Sequence, residues 1–129
     1  MQGLLLVGLG GFIGSIARYL LGHWIVQASA VQKFPLGTFV VNLTGCLVIG
    51  ILAGLSEKHG VISPNARLFL FTGLLGGFTT FSAFGLETMT LLRRDELLLA
   101  ALYVTGSVML GLLAVWLGMK GVSLLPGKQ

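Results

Sequence analysis

The residues of this chain that could do chemistry are polar groups set at regular spacing among apolar neighbours. Thr38, Asn42 and Cys46 recur every fourth position, so a helix would carry them on one face. An asparagine amide brings two N–H donors and an acceptor, and in hydrocarbon each wants a partner. Asn42 therefore suits either a hydrogen bond to a neighbouring helix or a donor lining a polar path. Further on, the run Phe71-Thr72-Gly73-Leu74-Leu75-Gly76-Gly77-Phe78-Thr79-Thr80-Phe81-Ser82-Ala83-Phe84 puts two adjacent glycines ahead of two threonines. That is a poor helix centre, and a break between Gly76 and Thr80 is expected. Carbonyls freed in such a break must be satisfied, and converging carbonyls suit a small hard cation.

Beyond the break, Phe81 and Phe84 stand three apart on one helical face, with Ser82 between them and Glu87 one turn further on. Paired aromatics at this spacing suit packing or lipid contact. They also suit an anion, because ring edges are electropositive and offer weak C–H donors that hold an ion without trapping it. Tyr103 and Ser107 are four apart, and Gly111 continues their face. Their hydroxyls suit either a hydrated path or bonds back to their own helix. Arg18, with Ser15 and Tyr19 nearby, could draw anions into a vestibule or extend to the membrane interface.

These groups need elements that can hold them in hydrocarbon. Hydrophobic types make up 55% of the 129 residues and charged types 9%, with mean hydropathy +0.97. Soluble domains carry about 25% charged residues, so a soluble globule, a nucleic-acid binder and a disordered chain all fit poorly. The charges divide the chain into four apolar stretches at roughly 3–26, 37–55, 67–92 and 97–119, each near the ~20 residues a membrane helix needs. The expected fold is an all-α membrane protein, one four-span domain over 1–129 with its third helix broken near the middle. Phe34-Pro35, Ser63-Pro64 and Arg93-Arg94-Asp95-Glu96 supply the connections. Gly10/Gly14 and Gly50/Gly54 read as close-packing pairs, whereas Gly73/Gly77 reads as part of the break. The N-terminal run lacks a basic start and a small-residue cleavage site, and reads as a retained span.

Basic residues are nearly balanced across a four-span topology. Lys58, Arg67, Lys120 and Lys128 share one side; Lys33, Arg93 and Arg94 share the other, with Arg18 two-thirds of the way along span one. A chain without orientation bias could insert both ways round, and opposed copies could pair.

Enzyme chemistry finds no support. No H-x-x-x-H, C-x-x-C or intra-span carboxylate pair occurs, and Asp95, the single aspartate, sits in a turn. The glycines from Gly8 to Gly14 would need a further glycine where Ile13 stands to make a dinucleotide loop. A drug/proton antiporter of similar size would need a titratable acid deep in span one, which has none. A non-transporting assembly subunit would need no polar track.

Over nearly its whole length the chain resembles the Fluc/CrcB family of fluoride channels. The segments that carry the resemblance run from Gly11 to Tyr19, from Gly37 to Gly45 and, most specifically, from Thr72 to Phe84. The resemblance implies a passive channel that exports fluoride across a bacterial cell membrane, built as an antiparallel, dual-topology homodimer with two pores. It implies a structural sodium ion at the dimer centre, held by the backbone carbonyls of Gly76 and Thr79. It assigns Phe81, Phe84 and Asn42 to the pore, Ser82, Tyr103 and Ser107 to a hydroxyl track beside Thr38, Arg18 to a vestibule and Glu87 to the third span's acid. Some members carry serine where this chain has Gly111, so water would fill the inner end of the track.

Overall fold

The computed structural model describes residues 1–31 and 33–125. Lys128, one of the basic residues weighed for orientation, lies outside them. Four helical spans account for nearly all of the described chain: Gln2–Ala28, Leu36–His59, Pro64–Arg93 and Leu97–Ser123, each long and apolar enough to cross a bilayer. We label α1 Gln2–Ala28, α2 Leu36–His59, α3 residues 64–78, α4 Phe81–Arg93 and α5 Leu97–Ser123.

Most helix ends reach a few residues past the apolar stretches. Hydropathy stops at the first charge, but a helical ladder runs on until something caps it. In α2 the polar turn Ser56-Glu57-Lys58-His59 stays helical until Gly60, whose φ of 59° ends it with an N–H donated to the Ser56 carbonyl. The third span begins early because Ser63 caps it, its hydroxyl oxygen accepting from Ala66 N–H, with Pro64 in the first turn. Between α4 and α5 the chain reverses at Asp95, which adopts φ 58°. Glu96 N–H then reaches back to the Leu91 carbonyl at 3.0 Å.

The third span departs from a simple helix twice. Leu68–Leu75 winds as a π-helix, and Gly76 N–H reaches the carbonyls of Phe71 and Gly73. Nothing in the apolar pattern signalled this widening. The break itself falls within the expected window: α3 ends at Phe78, Thr79 and Thr80 are extended, and α4 starts at Phe81.

Small residues decide which helices meet. The α1 glycines face the π-helical stretch: a Cβ on Gly10 would lie 2.5 Å from the Phe69 carbonyl oxygen and 2.8 Å from Leu74 N. A Cβ on Gly77 would lie 2.5 Å from the Gly11 carbonyl oxygen, and one on Gly73 3.0 Å from Gly10 Cα. Gly73/Gly77 is thus the counterpart of Gly10/Gly14 in a backbone-to-backbone contact, and the break begins just after it, a correction to the expectation that this pair belonged to the break. On the other side α2 meets α5 in the same way, with Gly118 against Leu47 and Ile51 and Gly50 against Val115. Without a hydrophobic drive between helices in lipid, such close approach is what holds spans together. Lys58 adds an end tie: its Nζ donates to the carbonyls of Val122 (3.3 Å), Ser123 (2.7 Å) and Leu125 at the end of α5.

Candidate functional site

The break is held by one side chain from α2. Asn42 Nδ2 donates to the Thr80 carbonyl at 3.0 Å, and Thr80 N–H donates to Asn42 Oδ1 at 2.8 Å. A helix through this point would have sent Thr80 N–H to the Gly76 carbonyl and Ala83 N–H to the Thr79 carbonyl. Thr80 N–H goes to Asn42 instead, and Ala83 N–H goes to Thr80 Oγ1 at 3.3 Å. The carbonyls of Gly76 and Thr79 are thereby released from the ladder. Of the two uses open to Asn42 in the sequence, the interhelical hydrogen bond is formed, to backbone rather than to a side chain. One Nδ2 hydrogen stays uncommitted, because a primary amide has two.

Two concavities flank this clamp. On one side a groove of about 440 Å³ is lined by Asn42, Cys46, Phe71, Gly76, Thr79 and Phe81 among others. Phe81 is 83% exposed there, and Gly76 and Ser82 are exposed as well. Ser82 Oγ lies 3.5 Å from Thr80 Oγ1. On the other side a cleft of about 730 Å³ is lined by Arg18, Gln27, Thr38, Thr80, Ala83 and Glu87, with walls from the α1–α2 connection. Arg18 Nε is buried without a partner among the described residues.

Glu87 is the centre of a polar set that its position on the third span did not reveal. Thr38 Oγ1 donates to Glu87 Oε1 and the Tyr103 hydroxyl to Glu87 Oε2, each at 2.6 Å. Three spans thus meet on one carboxyl group. Tyr103 is fully buried, and its ring is packed by Phe84 (centroids 5.1 Å apart), Phe34 (5.3 Å, edge-on) and Phe39 (6.3 Å). Nothing in the spacing of Phe34, which opens a connection in the sequence, or of Phe39 relates either ring to Tyr103.

The two phenylalanines at helical spacing therefore have different surroundings. Phe84 is half-buried inside the aromatic cluster, while Phe81 leans on it at 5.6 Å and otherwise faces out of the chain. Ser107 is half-buried one turn beyond Tyr103 on α5, and Gly111, a turn further, brings the chain close enough that a Cβ would touch Cys46 Sγ at 3.4 Å. Asn42 pairs with Thr80, and Thr38, Glu87, Tyr103 and Phe84 form a second set; Thr38, Thr80, Glu87 and Arg18 line one cleft, while Phe81 lines the groove on the other side.

No group of three or more His, Cys, Asp or Glu side chains that could hold a metal ion occurs among the described residues. A cation at the break would rely on backbone oxygen.

Comparison with known proteins gives one family. The family described as CrcB-like protein, Camphor Resistance (CrcB), matches residues 5–119. A protein of Methylobacillus flagellatus named as a fluoride-specific ion channel is 54% identical, over 96% of this chain and 97% of its own length. Proteins of the same name from Chlorobium chlorochromatii and Flavobacterium psychrophilum are 50% and 44% identical, over 89% and 92% of this chain and 88% and 95% of theirs.

Proposed function

The chain belongs to the CrcB family, and on that premise we propose that it is a passive, fluoride-selective channel through which fluoride leaves a bacterial cytoplasm. It is a multi-pass membrane protein and not an enzyme. The observation that carries the reading is the high identity to fluoride-specific relatives across almost the entire chain.

Fluoride is small and tightly hydrated, so a dry path must replace its water with donors. A vestibule begins at the cleft, where the Arg18 guanidinium, with its unpartnered Nε, attracts an anion. Next come the hydroxyls of Thr38 and Tyr103, which a passing anion recruits away from Glu87, and the free N–H of Asn42. The edges of Phe81 and Phe84, with the hydroxyls of Ser82 and Ser107, complete the series. Each donor is weak, so the ion is held briefly and released.

The functional unit in this reading is an antiparallel homodimer. Its support lies in and beside the groove: Gly76, Ser82 and a nearly bare Phe81 are exposed at mid-span, next to backbone carbonyls freed from the ladder. Unsatisfied backbone in hydrocarbon costs several kcal/mol, so this face needs a cover that lipid cannot provide. The released carbonyls of Gly76 and Thr79 fit a sodium ion, a hard cation that prefers oxygen. Bound there, sodium would supply positive charge that the carbonyl dipoles of Gly76 and Thr79 solvate in place of water.

Efflux from liposomes tests the proposal. Purified protein in vesicles is expected to pass fluoride down its gradient with no proton gradient, and chloride poorly. Flux that required counter-transported protons, or none at all, would overturn it.

A further inference from the structure

We propose that Lys33, Glu96 and Phe34 form a strap that closes the outer wall of the cleft and positions Tyr103 against Glu87; the functional part of this inference rests on the channel reading above. The α1–α2 connection supplies Ser29, Val31, Phe34 and Pro35 to the wall of the cleft. It is pinned at two points. Lys33 Nζ bonds Glu96 Oε1 at 2.7 Å, the one ion pair among the described residues, and so ties the connection to the turn before α5. Next to it, the Phe34 ring meets Tyr103 and Phe39 edge-on, both at 5.3 Å. The Tyr103 hydroxyl donates to Glu87, which lines the same cleft. A force on the connection is therefore passed through one ring to the hydroxyl that holds the carboxylate. Lys33 is itself mostly exposed, so its charge is screened and its value lies in where it holds the chain.

A double-mutant cycle separates a strap from two independent surface charges. Lys33→Met and Glu96→Gln are each expected to slow fluoride efflux by roughly two- to fivefold, the range for an ion pair open to water. The double variant is expected to be no slower than either single one. Phe34→Leu, which keeps an apolar plug but loses the edge contact, is expected to lower flux with the dimer intact on size exclusion. Amide hydrogen exchange reads the strap without transport: Leu36 N–H, bonded to the Phe34 carbonyl at 2.7 Å, should exchange faster than wild type in both single variants, and in the double by no more than in either single. Single variants with unchanged flux, or effects that add in the double, overturn the positioning role. Unchanged exchange overturns the strap itself. Wild-type vesicles that hold their fluoride would sink the channel reading, and the exchange experiment would still decide the strap.

Discussion

Asn42 and Thr80 form a closed two-way pair across two spans: the amide donates to the Thr80 carbonyl at 3.0 Å and accepts from its N–H at 2.8 Å. A side-chain amide here imitates a strand partner and satisfies both polar groups of one extended residue at membrane depth, where water is absent. The pairing explains how the third span can break without leaving Thr80 unbonded. It also selects which carbonyls go free, since Thr80 N–H no longer serves Gly76.

Removing that clamp should therefore damage architecture before transport. Asn42→Ala orphans two backbone groups, each at about 1–3 kcal/mol. A large fall in thermal midpoint in detergent is expected, with loss of flux. Asn42→Asp keeps the acceptor for Thr80 N–H and loses the amide donor, so it should fall between wild type and Ala. Equal stability of all three would show that the clamp does not hold the break.

Phe81 makes the opposite case. It is 83% exposed and packs on little but Phe84 within the chain, so Phe81→Ile should leave each subunit folded. Flux is expected to collapse while the dimer persists on size exclusion. Phe84→Ala, by contrast, opens a hole beside Tyr103 and should cost about 3–5 kcal/mol of stability as well. Normal flux in Phe81→Ile would reduce Phe81 to an ordinary surface residue.

Tyr103→Phe deletes only the hydroxyl that Glu87 accepts. The ring and its aromatic neighbours remain, so a loss of about 1 kcal/mol in stability is expected, with a larger proportional loss in flux. Ser107→Ala should lower flux more mildly. A Tyr103→Phe channel as fast as wild type would remove the hydroxyl from the path.

Glycine substitutions test the packing directly. A Cβ on Gly14 would collide with the Leu74 carbonyl, so Gly14→Ala should cost about 1–3 kcal/mol or more and prevent assembly. A Cβ on Gly8, in the same helix, meets nothing within 4 Å. Gly8→Ala is expected to be neutral or to stabilise by about 0.5–1 kcal/mol. Thermal melts of the two variants side by side decide it.

Sodium dependence follows from the released carbonyls. Replacing sodium by a large organic cation on both sides of the vesicle should slow fluoride efflux, and restoring it should recover the rate. Indifference to the exchange would empty the proposed site at Gly76 and Thr79.

Read alone, the amino-acid order was enough for four spans, for a break between Gly76 and Thr80 and for the family that Thr72 to Phe84 resembles. Hydrocarbon forces every spanning backbone to satisfy itself, so apolar length and helix-breaking residues report directly on elements. Tertiary structure alone decided that Gly73/Gly77 is a docking surface for α1, that residues 68–75 wind as a π-helix and that Asn42 serves backbone. It also decided that Thr38 and Tyr103 share Glu87 and that Phe34 reaches Tyr103. A span's hydropathy is nearly the same around its axis, and the choice of partner depends on rotation and vertical register between helices. Those are set by where small residues let two backbones touch, a property of pairs of surfaces that no single stretch of chain contains.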